Sequence, residues 1–139
     1  MIELSSVLMI AGAGIFGLLG TVHLLYTFFT NKFDAYDDSV TEAMKSTSPV
    51  LTRETTVWKA WIGFNASHSL GAMLVAAIYI PLTLQHPQVI SNSPWFSLLP
   101  TVIGFSYLAL AWRYWFKIPF IGVLLSTVCF SVAGLLINL

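Results

Sequence analysis

Polar and apolar positions sort this chain into four long apolar runs joined by three polar connections of unequal length. The runs cover about residues 4–30, 57–85, 95–116 and 119–138. Each is near the roughly 20 residues that a helix needs to cross a bilayer core. Backbone groups in lipid must be satisfied internally. The pattern therefore predicts an all-α fold: a polytopic membrane protein whose residues 1–139 form one domain, an antiparallel bundle of four transmembrane helices.

The connections refine that plan. In the third, Lys117, Ile118 and Pro119 turn one run into the next, with Pro119 suited to a first helical position. That predicts a tight antiparallel hairpin. The second, from His86 to Pro94, reads as a short polar turn, with His86 a solvated loop residue. The first, residues 31–56, holds most of the charged side chains. Within it Ser39-Val40-Thr41-Glu42 fits a capping box, and Val40, Ala43 and Met44 make a short apolar face. A short surface helix and a solvated loop both fit this segment. At the other end, Met1-Ile2-Glu3 offers no positive region before an apolar stretch longer than the roughly 7–15 residues of a signal-peptide core, so a retained span is expected.

Charge sets the expected orientation. Lys32, Lys45, Arg53 and Lys59 lie in or beside the first connection, and Arg113 and Lys117 flank the third. The second connection and both termini contain no Lys or Arg. The positive-inside rule then makes loop 31–56 cytoplasmic, with both termini outside. Trp58, Trp61, Trp112 and Trp115 fall at the inner boundary and Trp95 at the outer one, as in aromatic belts.

Composition agrees. Only 9% of the 139 residues are charged and 57% are apolar, with mean hydropathy +0.81. Soluble proteins carry about 25% charged residues. Net charge is zero and no basic stripe exists, so nucleic acid is not an expected partner. The expected partners are the bilayer and a larger membrane protein or a second copy. The lone Cys129 lies in the last run and reads as a small core residue.

Candidate chemistry centres on His23 and His68, ionisable side chains inside the first two runs, where such groups face protein and mark working sites. Trp61, Asn65, His68 and Ala72 share one helical stripe, with Ser69 at its edge. Gly63, Ser67 and Gly71 form a separate small-residue ridge suited to close packing. In the first run Ala13, Gly17 and Gly20 precede His23, and Thr27 follows it by one turn. His23 lies ~9 Å and His68 ~12 Å from the inner ends of their helices, so antiparallel packing puts both in one layer. Thr127, Ser131 and Asn138, with Gly134, mark a polar side of the fourth run, and Ser106 and Tyr107 a polar spot on the third. No Asp or Glu lies inside a run, which weighs against a carboxylate-based proton exchanger.

Several readings fit the histidine pair. His23, Asn65, Ser69 and His68 can be an interhelical hydrogen-bond cluster that fixes packing register. Alternatively, His23, Asn65, His68, Ser69, Trp61 and Tyr26 can line a cavity for a quinone, a sterol-like lipid or another amphiphile. A third reading is haem b with His23 and His68 as axial ligands, Gly20 and Gly71 making room for the porphyrin. Transport or catalysis by the same residues is a fourth. A bare metal fits less well, since two histidines leave zinc under-coordinated.

The stretch from Trp61-Ile62-Gly63-Phe64-Asn65-Ala66 to Ser67-His68-Ser69-Leu70-Gly71 looks like a family signature. In length, four spans and polar residues near the ends of the first two helices, the chain resembles the DoxX-like and other small four-helix bacterial membrane proteins. The resemblance is one of overall plan. It implies a multi-pass protein of a bacterial inner membrane and no particular chemistry. The expectation is an accessory or hydrophobic-ligand-binding subunit of a membrane complex rather than an enzyme. The alternative is a b-type haem or quinone/lipid redox protein built on His23 and His68.

Overall fold

The computed structural model describes residues 3–139; Met1 and Ile2, which open the stretch read as a retained span, lie outside the described residues. Four helices are long and apolar enough to cross a membrane: α1 (Leu4–Phe29), α3 (Val57–Gln85), α5 (Pro94–Tyr114) and α6 (Lys117–Asn138). Two short helices, α2 (Asp38–Ser46) and α4 (Pro87–Ser91), complete an all-helical chain with no strand among the described residues. The chain forms two compact units, a larger one of Met1–Leu19 with Ala72–Leu139 and a smaller one of Gly20–Gly71.

Local chemistry explains most helix ends. Thr56 starts α3 by accepting a hydrogen bond from the Lys59 amide at 3.2 Å, as an N-cap side chain does. His86 precedes a proline and leaves the helical region, which ends α3 at Gln85. Pro87 and Pro94 then stand at the first positions of α4 and α5. Two expectations change here. The segment after His86 is a helical turn that buries Ile90 rather than a plain polar turn. The last connection is Trp115-Phe116, and α6 begins at Lys117, so Pro119 is the third helical residue. It fits because first-turn amides have no intrahelical acceptor.

In the larger unit the missing side chain of glycine brings helices together. A Cβ on Gly12 would lie 2.8 Å from the Phe130 ring, and one on Gly17 would lie 2.7 Å from Ala76 Cβ. Gly104 stands equally close to Thr127. Phe130 is fully buried and packs on Phe16 at 5.8 Å between ring centroids, and Phe16 on Tyr107 at 5.1 Å. Ser126 crosses from α6 to donate to the Gly12 carbonyl at 2.6 Å. By contrast Thr127, Ser131 and Ser106 return to carbonyls of their own helices. Asn138 donates both to its own helix at Gly134 and across to Ser97 Oγ at 2.8 Å.

Pro100, fully buried within α5, lacks the amide that would bond the Phe96 carbonyl four residues earlier. The Tyr79 hydroxyl takes that place, donating to Phe96 O at 3.1 Å. Tyr79→Phe therefore leaves a part-buried carbonyl without that donor and is expected to cost about 1 kcal/mol of stability. Restoring the amide with Pro100→Ala should shrink that cost. Thermal unfolding of the two single variants and the double variant measures the coupling, and a coupling of zero would show the two groups to be independent.

In the smaller unit, α2 is capped by Asp37, not by Ser39 as the capping-box pattern predicts. The Asp37 carboxylate accepts from the Ser39 hydroxyl at 2.7 Å and the Ser39 amide at 2.9 Å. Glu42 is occupied with Lys45 at 2.8 Å, and the Lys45 ammonium also lies 5.5 Å from the centre of the Trp58 ring. Buried Thr41 accepts from the Ala35 amide at 3.0 Å and fastens the loop onto α2. The Ser39 hydroxyl first, and its amide second, hold the Asp37 pKa below the usual carboxylate value. A lowered folded pKa means the cap stabilises α2 above the unfolded value and is lost as pH falls through the folded one. Protection factors of the amides in residues 38–46, taken relative to the intrinsic exchange rate at each pH, should fall on acidification, and Asp37→Asn should flatten that dependence. The same fall in Asp37→Asn would assign the effect elsewhere.

The expected close-packing ridge on α3 is not used within the chain at Gly63 and Ser67. A Cβ on Gly63 would meet nothing within 4 Å, and Ser67 is exposed, donating to its own Phe64 carbonyl.

Candidate functional site

The histidines do face each other. In the smaller unit the His23 and His68 rings meet edge to face with centroids 5.6 Å apart. Antiparallel pairing of the end of α1 with the start of α3 places the two at one level, as their matched depths predict.

Asn65 decides the protonation pattern. Its side-chain amide donates to the Trp61 carbonyl one turn back at 2.9 Å, which turns Oδ1 towards α1. His23 Nε2 lies 3.0 Å from that oxygen. An oxygen can only accept, so Nε2 carries the proton and Nδ1 of the neutral ring holds the lone pair. The tautomer is thus assigned from the hydrogen-bond network. Ser69, fully buried, donates to the Asn65 carbonyl at 2.9 Å, and Thr27 donates to the His23 carbonyl at 2.8 Å.

Aromatic groups wall the cluster. Phe33 packs on His23 with centroids 4.5 Å apart and on Trp61 at 6.5 Å. The Trp61 indole donates to the Phe33 carbonyl at 3.0 Å, tying the loop after α1 to the start of α3. Phe33 escaped the sequence reading because it sits in a polar loop with no periodicity to flag it. Its only signal was an aromatic residue amid Asn31, Lys32 and Asp34. Tyr26 is placed differently from the expectation. It is partly exposed, and its ring lies under the Lys32 ammonium, 4.6 Å from the centroid.

What this arrangement can do is limited and specific. It offers one acceptor nitrogen on His23 with a second imidazole beside it and an aromatic lining. Axial ligation of haem would need both rings end-on to one iron with the porphyrin plane between them. The edge-to-face contact and the bond from His23 Nε2 to Asn65 do not fit that geometry. Among the described residues no three His, Cys, Asp or Glu side chains group as a metal site requires. No protein-family model, curated protein or solved structure matches the chain.

Proposed function

We propose that this chain is a multi-pass membrane protein that binds the polar head of a hydrophobic ligand at His23, Asn65 and His68. The reading places it in a bacterial inner membrane, N-out and C-out, with loop 31–56 cytoplasmic, as the basic residues and the overall plan suggest. The observation that carries it is the Asn65-fixed tautomer of His23. A lone pair held beside aromatic walls suits a hydroxyl donor on an apolar body, such as a sterol or a quinol. A ligand of this kind could be bound only or oxidised by a partner; the binding step is common to both.

The test is photolabelling of the purified protein with a hydroxyl-bearing sterol or quinol probe and with its O-methyl ether. The hydroxyl probe should label residues near His23 and Phe33, and His23→Ala should weaken it about tenfold, the loss of roughly one buried hydrogen bond. Equal labelling by the ether, or no loss in His23→Ala, defeats the reading.

The same proposal makes the chain an accessory subunit of a larger membrane protein. Its support is the open space at Gly63 beside exposed Ser67 and Phe64, a face suited to close helix packing. Purification in mild detergent should yield a co-migrating protein that Gly63→Leu releases. A chain that migrates alone, with or without that substitution, removes the subunit part.

A further inference from the structure

Away from the histidines, the larger unit carries a cavity of about 570 Å³, within the range of small-ligand sites. It is lined by Glu3 just before α1, Ser5 and Met9 at the start of α1, Thr83 at the end of α3, Gln88 of α4 and Ile137 near the end of α6. We infer that this cavity binds an amphiphile with a primary ammonium head and a single apolar tail.

Charge gives the first argument. Glu3 is the only acidic residue in either segment of this unit. The unit's basic residues, Arg113 and Lys117, lie in the last turn of α5 and the first residue of α6, and neither pairs with Glu3. Among the described residues the one ion pair is Lys45 with Glu42. A carboxylate on the rim of an amphipathic cavity attracts a cation and repels an anion.

Hydrogen bonding narrows the head group. Thr83 uses its proton on the Tyr79 carbonyl at 2.6 Å, so it presents only lone pairs to the cavity. Ser5, just 7% exposed, lines the cavity with a hydroxyl oxygen that can accept from a donor there. Carboxylate, threonine oxygen and serine oxygen together form an acceptor set, and an ammonium with three N–H donors matches it. Buried Met9 and Ile90, with Ile137, supply the apolar floor for a chain.

The test is photolabelling of the full chain in maltoside micelles with a diazirine-bearing dodecylamine, the labelled positions mapped by mass spectrometry. Label is expected within residues 3–10 and 83–91. Dodecylamine should compete it away, whereas dodecanol and water-soluble ethanolamine at equal concentration should not. Glu3→Gln, an exposed position whose change should leave thermal stability intact, should lower labelling about tenfold, and trimethylation of the competitor's nitrogen should weaken its competition by a similar factor. Labelling elsewhere, equal competition by dodecanol, or an unchanged Glu3→Gln variant overturns the site. Equal competition by ethanolamine overturns the amphiphile and points to a soluble amine. His23→Ala should leave this labelling untouched, so the two sites fail or stand separately.

Discussion

Gly12→Val is expected to lower the stability of this chain more than any substitution of an exposed residue. A single Cβ on Gly12 would stand 2.8, 2.9 and 3.2 Å from three atoms of the Phe130 ring. Contacts under 3 Å cannot persist, so something must shift. The ring cannot swing away, because Phe130 is fully buried and held against Phe16. The helices must therefore separate, which also stretches the 2.6 Å bond from Ser126 to the Gly12 carbonyl. Overpacking of this kind costs about 1–3 kcal/mol, and the two further methyls of valine push towards the upper end. Thermal unfolding in detergent should show a large drop in Tm for Gly12→Val. Phe130→Leu placed in the same chain should recover part of it. A Gly12→Val protein with wild-type Tm would mean that α1 and α6 do not meet at this point.

Asn65→Leu should be the most damaging change at the candidate site. It removes the oxygen that accepts from His23 Nε2 and strands a half-buried donor. The expected stability loss is about 1–3 kcal/mol. The sharper readout is the imidazole itself. Nitrogen-15 spectra of histidine-labelled protein should show His23 with its proton on Nε2 in the wild type, and a mixture of tautomers in Asn65→Leu. Trp61→Phe is the control. It loses the indole bond to Phe33, yet keeps the backbone carbonyl that anchors the Asn65 amide. The His23 tautomer should survive it. A wild-type protein with its proton on Nδ1 would reverse the assignment and remove the acceptor on which the proposed ligand depends.

Both predictions turn on side chains that the sequence names without placing. Thr127 and Ser131 stand out at a spacing of four, yet each bonds within its own helix. Ser126, one residue away from that pattern, makes the contact between helices. Gly63 looks like a packing glycine and faces open space, whereas Gly12 and Gly104 make close approaches. The reason is physical. A helix that is apolar on every side can turn any face to a neighbour, because lipid and protein both accept apolar surface. Rotation about the helix axis is therefore poorly encoded in the pattern. The cavity near Glu3 was invisible for the same reason, since four separate helices contribute to it.

The sequence by itself determined which segments form the four long helices and how long those helices are. The second run, 57–85, coincides with α3, and the other three differ by two residues or fewer at each end. Apolar length and proline positions decide such bounds locally. Depth was equally legible, because a rise of about 1.5 Å per residue converts sequence distance into level along an axis. That is why His23 and His68 were expected in one layer. Only the tertiary structure decided that the rings face each other, that the Asn65 side chain reaches from α3 to His23 on α1, and that Phe33 closes over His23. Those contacts depend on how each helix is turned and on the path of a loop, and both are settled by packing among residues far apart in the chain.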